Sequence, residues 1–234
     1  MTAEALTDGS ARPLDELLVA YGSGSLDPAR HALVASHLAL RTDNRKFVRA
    51  VEDYAASEFL MSGAAGSSRR RDERLAEIFG LSDDENEQAG RPLVRAAAHA
   101  SAREEDVVLP SPLRRYLGCG LDDLGWRFVV PGVREVKVGE CGRGEVSLIH
   151  VRAGRRLPRH THEGSEITLV ITGAFSDPQG RYIRGDIAIA DSSIDHSPEI
   201  ERDADCICFA VTDAPLRLTS PVGRFVEKIM SLRH

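Results

Sequence analysis

The residue types best suited to chemistry lie close together in the run Gly154-Arg-Arg-Leu-Pro-Arg-His160-Thr-His162-Glu-Gly-Ser-Glu166. In an extended strand, residues i and i+2 share a face, so His160 and His162 present two imidazoles side by side. Glu163-Gly164-Ser165 has turn chemistry, which lets Glu166 open the next strand and aim back at the same point. Gly185 and His196 form a second Gly…His pair downstream. Three imidazoles and one carboxylate suit a borderline divalent cation: Zn²⁺ foremost, with Fe²⁺, Mn²⁺ and Ni²⁺ as alternatives. An isolated His-x-His is equally well an exposed strand end or a buried hydrogen-bonded pair. Here the spacing G-x5-HxH-x3-E-x6-G is met at every position from Gly154 to Gly173, which favours the metal site. No further acid or base stands out near the motif, so the sequence names no substrate.

Other reactive residues are less decisive. Cys206 and Cys208 share a strand face, either as a redox-sensitive pair or as two buried small hydrophobes. Cys119 and Cys141 read as incidental thiols. His150 lies one strand before the metal motif and could face into a barrel or away from it. Tyr182 and Arg184 read as a plain strand face, and Arg69 to Arg74 as a solvated helix start.

These residues need elements to hold them. From about Leu109 apolar residues recur with period two. Short strands are expected at Arg127–Val130, Val133–Val138, Glu145–Val151, Ile167–Ile171, Asp186–Ala190 and Cys206–Val211, separated by Gly and Pro. Many short strands at this spacing indicate a sandwich or barrel. The first half has helical periodicity instead. Leu14, Leu17, Leu18 and Tyr21 make one stripe, and Asp27-Pro28 is a start signal for a second helix through Leu33, Val34, His37 and Leu38. A third, with Asp43 as cap, would bury Phe47, Val48, Val51, Tyr54, Ala55 and Phe59 on one side. A short fourth helix is expected around Leu75–Phe79 and a surface helix over 93–106. The expected organisation is a small all-α bundle over 1–88, a linker over 89–108, with the acidic, linker-like run 82–92 straddling the boundary between them, and an all-β domain over 109–234.

Composition narrows the function. The chain has 234 residues, 42% hydrophobic and 28% charged, which excludes collagen-like and wholly disordered classes. The net charge of −6 argues against direct nucleic-acid binding through general charge attraction. All of that charge is in the first half, where residues 1–109 carry 19 Asp/Glu against 13 Lys/Arg. No run is long and apolar enough for a bilayer, and Met1–Ser10 lacks the basic and apolar regions of an export signal, so a cytoplasmic location is expected. Four cysteines are too few for a disulfide scaffold in a chain of this length.

The motif from Gly154 to Gly173, with Gly185 and His196, resembles the two signature motifs of the cupin superfamily. That resemblance implies a double-stranded β-helix (jelly roll) with a 3-His-1-Glu metal site. The second motif departs from the pattern at Asp191 and Ser193, where Pro and Gly are usual. The order of helical domain then cupin resembles the ChrR-type anti-sigma factors. The shared segments are Leu17–Tyr21, His37–Leu40, Leu109–Leu117, Pro131–Arg134, Asp205–Cys208 and Thr212–Arg217. The resemblance implies a helical domain that sequesters a group IV (extracytoplasmic-function) sigma factor and a cupin that answers oxidative stress, with Cys206 and Cys208 as its redox pair. It also implies a zinc in the helical domain, held by His-x3-Cys-x2-Cys and an upstream His. Here His37 matches the motif's His, but Arg41 and Asn44 replace the cysteines and Arg12 the upstream His. No zinc is therefore expected there, and His37 is expected to pack on an apolar face and His31 to lie on the helix surface. A structural zinc contributes on the order of 10 kcal/mol to small domains that fold around one, so this bundle needs another support. Two other functions stay open. One is a metal-dependent, dioxygenase-like cupin enzyme; the other is a degenerate paralogue that no longer binds sigma and whose helical half makes a homodimer.

Overall fold

A computed structural model describes residues 12–61 and 108–219, with side chains given through residue 59 in the first segment. The expected helices near 75–79 and 93–106, the run Arg69–Arg74 and the linker lie outside the described residues.

Three helices open the chain: α1 (Pro13–Gly22), α2 (Pro28–Leu40) and α3 (Arg45–Met61). α2 starts where the sequence indicates. Pro28 occupies the first turn, and Asp27 Oδ1 accepts the backbone N–H groups of Ala29 at 2.9 Å and Arg30 at 3.1 Å. Asp43 does not cap α3. Its carboxylate takes the Arg41 guanidinium at 3.0 Å. α1 and α3 approach closely at Gly22, where an added Cβ would lie 2.8 Å from Val51. The expected α3 stripe splits: Val48 is buried and Val51 and Ala55 partly so, whereas Phe47, Tyr54 and Phe59 are exposed. Residues 48, 51 and 55 fall on the face toward α1, and 47 and 54 lie about 100° round the helix.

A fourth helix, α4 (Ser111–Leu117), forms where period-two structure is expected. Proline in its first turn, Leu113, Tyr116 and Leu117 at helical spacing, and left-handed Gly118 after its end explain the helix. A 3₁₀ turn (Leu121–Asp123) leads into eleven strands: β1 (Arg127–Val130), β2 (Val133–Cys141), β3 (Gly144–Val151), β4 (His160–His162), β5 (Glu166–Thr172), β6 (Ala174–Asp177), β7 (Gly180–Ile183), β8 (Ile187–Ala190), β9 (Glu199–Ile200), β10 (Cys206–Thr212) and β11 (Leu216–Leu218). All named pairings are antiparallel. The main sheet runs β1-β2-β3-β10-β5-β8, the second β7-β6-β9, and β4 pairs with β11.

Both faces of the main sheet are covered, which explains its nearly continuous apolar strands. Val146, Leu148, Ile167, Leu169, Phe209 and Val211 point one way and join one core with Leu17, Leu18, Leu33 and Val34 of α1 and α2 and Leu113 and Leu117 of α4. Val151, Val170, Ala188 and Cys206 point the other way, toward Phe175 of β6 and Ile200 of β9. The helical segment thus leans on the back of the sheet, and its front encloses a cavity of about 90 Å³. No helix among the described residues is long and apolar enough to cross a membrane.

Candidate metal centre

His160 and His162 stand on β4, Glu166 at the start of β5, and His196 in the segment between β8 and β9. Register brings them together. Glu166 pairs with Ala190, and His160 pairs in an antiparallel bridge with His196, whose backbone N–H donates to the His160 carbonyl at 3.0 Å. One ligand atom from each of the four residues lies within 4.8 Å of the others. The three histidines are almost completely buried, at 5%, 2% and 5% exposure.

Hydrogen bonding fixes the chemistry of two of these rings. His160 Nδ1 lies 2.8 Å from the carbonyl oxygen of Pro158, and His196 Nδ1 lies 2.8 Å from Asp177 Oδ2. A carbonyl and a carboxylate only accept, so each Nδ1 carries the proton and donates it. A neutral ring held in this way keeps its lone pair on Nε2, and these two Nε2 atoms sit 3.0 Å apart. Two lone pairs at that distance repel unless a proton or a metal cation lies between them, and a metal ion held by both would satisfy both. His162 Nε2 adds a third donor atom 3.5 Å from His196 Nε2, with Glu166 Oε2 3.4 Å beyond it. His162 Nδ1 is buried without a hydrogen-bond partner among the described residues.

Electrostatics agree with this arrangement. Burial, with His160 and His196 nearby, pushes His162 down to about 4, and burial also lowers His160. These rings resist protonation and keep their lone pairs for a metal. Burial pushes the Glu166 carboxyl up to about 7 when no cation faces it. A divalent cation removes that penalty, since it favours the ionised form. Nitrogen and oxygen donors in this ratio fit zinc or a neighbouring first-row ion.

The other sequence candidates are distributed as follows. Cys206 and Cys208 both line the cavity with His160, Glu166 and His196, their sulfurs 3.6 Å apart. The Cys206 thiol and burial hold Cys208 well above the ordinary thiol value, so it is a poor thiolate. His150 faces away from the cavity that its neighbours Ile149 and Val151 line. It packs edge-on against Trp126 and meets Asp205 Oδ2 at 2.9 Å. Tyr182 stacks on Phe175, and Arg184 donates to the Ile171 carbonyl. His31 is exposed and stacks on Tyr21. Asp177, absent from the sequence expectations, is the one acidic partner that touches a candidate ligand's second ring nitrogen among the described residues.

His37 is buried, but not on an apolar face. Its Nδ1–H donates to the Gly185 carbonyl at 2.6 Å, and its Nε2 accepts from Asn44 Nδ2 at 2.9 Å. Arg41 reaches Asp186 at 3.1 Å. The side chains in place of the zinc cysteines thus fasten α2 to the turn before β8.

Comparison with known proteins gives this chain relatives. The ChrR Cupin-like domain family matches residues 116–215. The Anti-sigma-E factor ChrR of Cereibacter sphaeroides is 38% identical over 213 residues, covering 91% of this chain and 94% of that protein. The crystal structure of Rhodobacter sphaeroides SigE in complex with the anti-sigma ChrR superposes with a TM-score of 0.63 at 34% identity, over 85% of this chain and 96% of the matched chain.

Proposed function

Because the chain belongs to the family of ChrR-type anti-sigma factors, we propose that it sequesters a group IV (extracytoplasmic-function) sigma factor in the cytoplasm and releases it when its cupin half responds to oxidative stress. The observation that carries this reading is the relationship over 91% of the chain, which spans helical and cupin halves alike. The acidic first half fits a basic, polymerase-binding partner. On α3, Phe47 and Tyr54 are 41% and 66% exposed and seven residues apart, which gives an apolar strip for docking.

In this reading the cupin binds one divalent ion, zinc foremost, through His160, His162, Glu166 and His196. Coupling between the halves requires a physical link, and α2 supplies one at each end. Arg30 faces Asp213 at 3.7 Å, and Asp213 holds Ser165, next to Glu166, through 2.7 Å contacts to its backbone N–H and its hydroxyl. At the other end, His37 and Arg41 hold Gly185 and Asp186, which lead into β8. A change at the metal reaches α2 through both turns.

Co-expression with extracytoplasmic-function sigma factors of the same organism tests the proposal. A stable complex that blocks transcription by the cognate holoenzyme is expected. No complex at micromolar protein would end the anti-sigma reading.

A further inference from the structure

Asp177 lies outside both histidine motifs, at the end of β6, with its side chain only 1% exposed. Both of its oxygens are committed. Oδ1 accepts the backbone N–H groups of Gln179 at 2.9 Å and Gly180 at 3.1 Å, which closes the β6–β7 hairpin. Oδ2 accepts from His196 Nδ1 at 2.8 Å. The hairpin therefore holds the carboxylate still, and the carboxylate holds the ring.

We propose that Asp177 is a positioning residue for the metal centre, which fixes His196 as the Nδ1–H tautomer so that Nε2 is permanently presented as a ligand. This rests on the metal reading above. A carboxylate behind a ligating imidazole orients the ring and raises its basicity, and loss of such a partner typically costs 10- to 100-fold in metal affinity. The rest of the set is not held in the same way. His160 leans on a backbone carbonyl, and the second nitrogen of His162 has no partner among the described residues.

The surroundings make one substitution diagnostic. Every group that faces the two Asp177 oxygens is an N–H donor. In Asp177→Asn the amide oxygen can keep the hairpin N–H groups, and its NH₂ then faces His196 Nδ1. A donor there drives the proton to Nε2, on the lone pair the metal needs. The isosteric variant thus retains the hairpin and inverts the tautomer.

Long-range ¹⁵N–¹H spectra of the metal-free full chain, with far-UV circular dichroism as the check on folding, read the tautomer directly. Wild type is expected to show His196 protonated on Nδ1 and Asp177→Asn on Nε2. Zn²⁺ affinity, measured by competition with a chromophoric chelator, is expected to fall about 10- to 100-fold in the variant. Nε2 protonation of His196 in the wild type would overturn the proposal without any variant. Unchanged Zn²⁺ affinity in Asp177→Asn, alongside a loss in His160→Ala, would overturn it and leave the metal reading standing. Unchanged affinity in His160→Ala as well would sink both.

Discussion

His37 Nδ1 lies 2.6 Å from the carbonyl oxygen of Gly185, so a helix of the first half is hydrogen-bonded to the glycine that opens the second cupin motif. Gly185 has φ +87°, and an added Cβ would lie 2.9 Å from Leu40 Cβ and 2.8 Å from Arg41 Cγ. The helix end and the turn are thus fitted to each other, and Asn44 completes the contact on the far side of the imidazole.

Substitutions at this contact are expected to destabilise the protein with or without metal. Gly185→Ala forces a side chain into a left-handed, occupied position, at a cost of about 1–3 kcal/mol. His37→Ala strands the buried Gly185 carbonyl and the half-buried Asn44 amide at a similar cost. Urea denaturation checks both. Chelator treatment should leave the size of these effects unchanged; if metal removal abolishes the His37→Ala effect, the contact is a metal site after all.

Leu33 is fully buried in the core that α2 shares with Leu148 and Phe209 of the sheet. Leu33→Ala is expected to cost about 2–5 kcal/mol and to shift the unfolding of helices and sheet together. Far-UV circular dichroism, which follows the helices, and Trp126 fluorescence, which follows the cupin, should give coincident transitions. Melting of the helices alone at lower denaturant would contradict the shared core.

Glu166 governs a pH dependence. Burial raises its folded pKa from the ordinary 4.5 to about 7. In the metal-free protein its favourable contribution is present below about pH 4.5 and lost as pH rises through about 7. That loss is on the order of 3 kcal/mol. Glu166→Gln removes this titration. Metal-free Glu166→Gln is therefore expected to be more stable than metal-free wild type at pH 8, and the gap should close near pH 5. His162 titrates in both proteins and cancels from the comparison. The same variant should bind metal more weakly, so that metal stabilises wild type more than the variant. Parallel pH profiles of the two metal-free proteins would exclude a raised Glu166.

Cys206 is 1% exposed, and the Cys208 thiol is held well above its ordinary value by its neighbour and by burial. In the native protein at pH 7.5, Cys206 is expected to react with a thiol reagent far more slowly than the partly exposed Cys119 and Cys141, and Cys208, itself partly exposed, is expected to be slowed by its raised pKa. All four should react at once in denaturant. Fast native labelling of Cys208, read by peptide mass spectrometry, would contradict the raised thiol pKa.

The clustering of His160, His162, Glu166 and His196 was legible in the sequence because their spacing maps directly onto strand period and turn chemistry. The central strands were legible for the same reason. Asp177 was not, because it comes from a hairpin between the two motifs and no fixed spacing ties it to His196. α4 was hidden by its brevity: Leu113, Tyr116 and Leu117 supply one turn of periodicity between prolines and Gly118. The fate of α3 could not be read from apolar pattern either. Phe47 and Val48 are equally apolar in sequence, and only packing against α1 decides which is covered. His37 shows the converse limit. The loss of the two cysteines at Arg41 and Asn44 was visible, but the hydrogen bonds that stand in their place depend on a turn nearly 150 residues away.

The most direct test of the account is the metal content of the full chain purified without added metal, set beside that of His160→Ala and Glu166→Gln proteins. One equivalent of divalent metal per wild-type chain, lost in His160→Ala and reduced in Glu166→Gln, is the expected result. Two equivalents per chain, or one that persists in His160→Ala, would place the metal somewhere other than the cupin cavity and contradict the account.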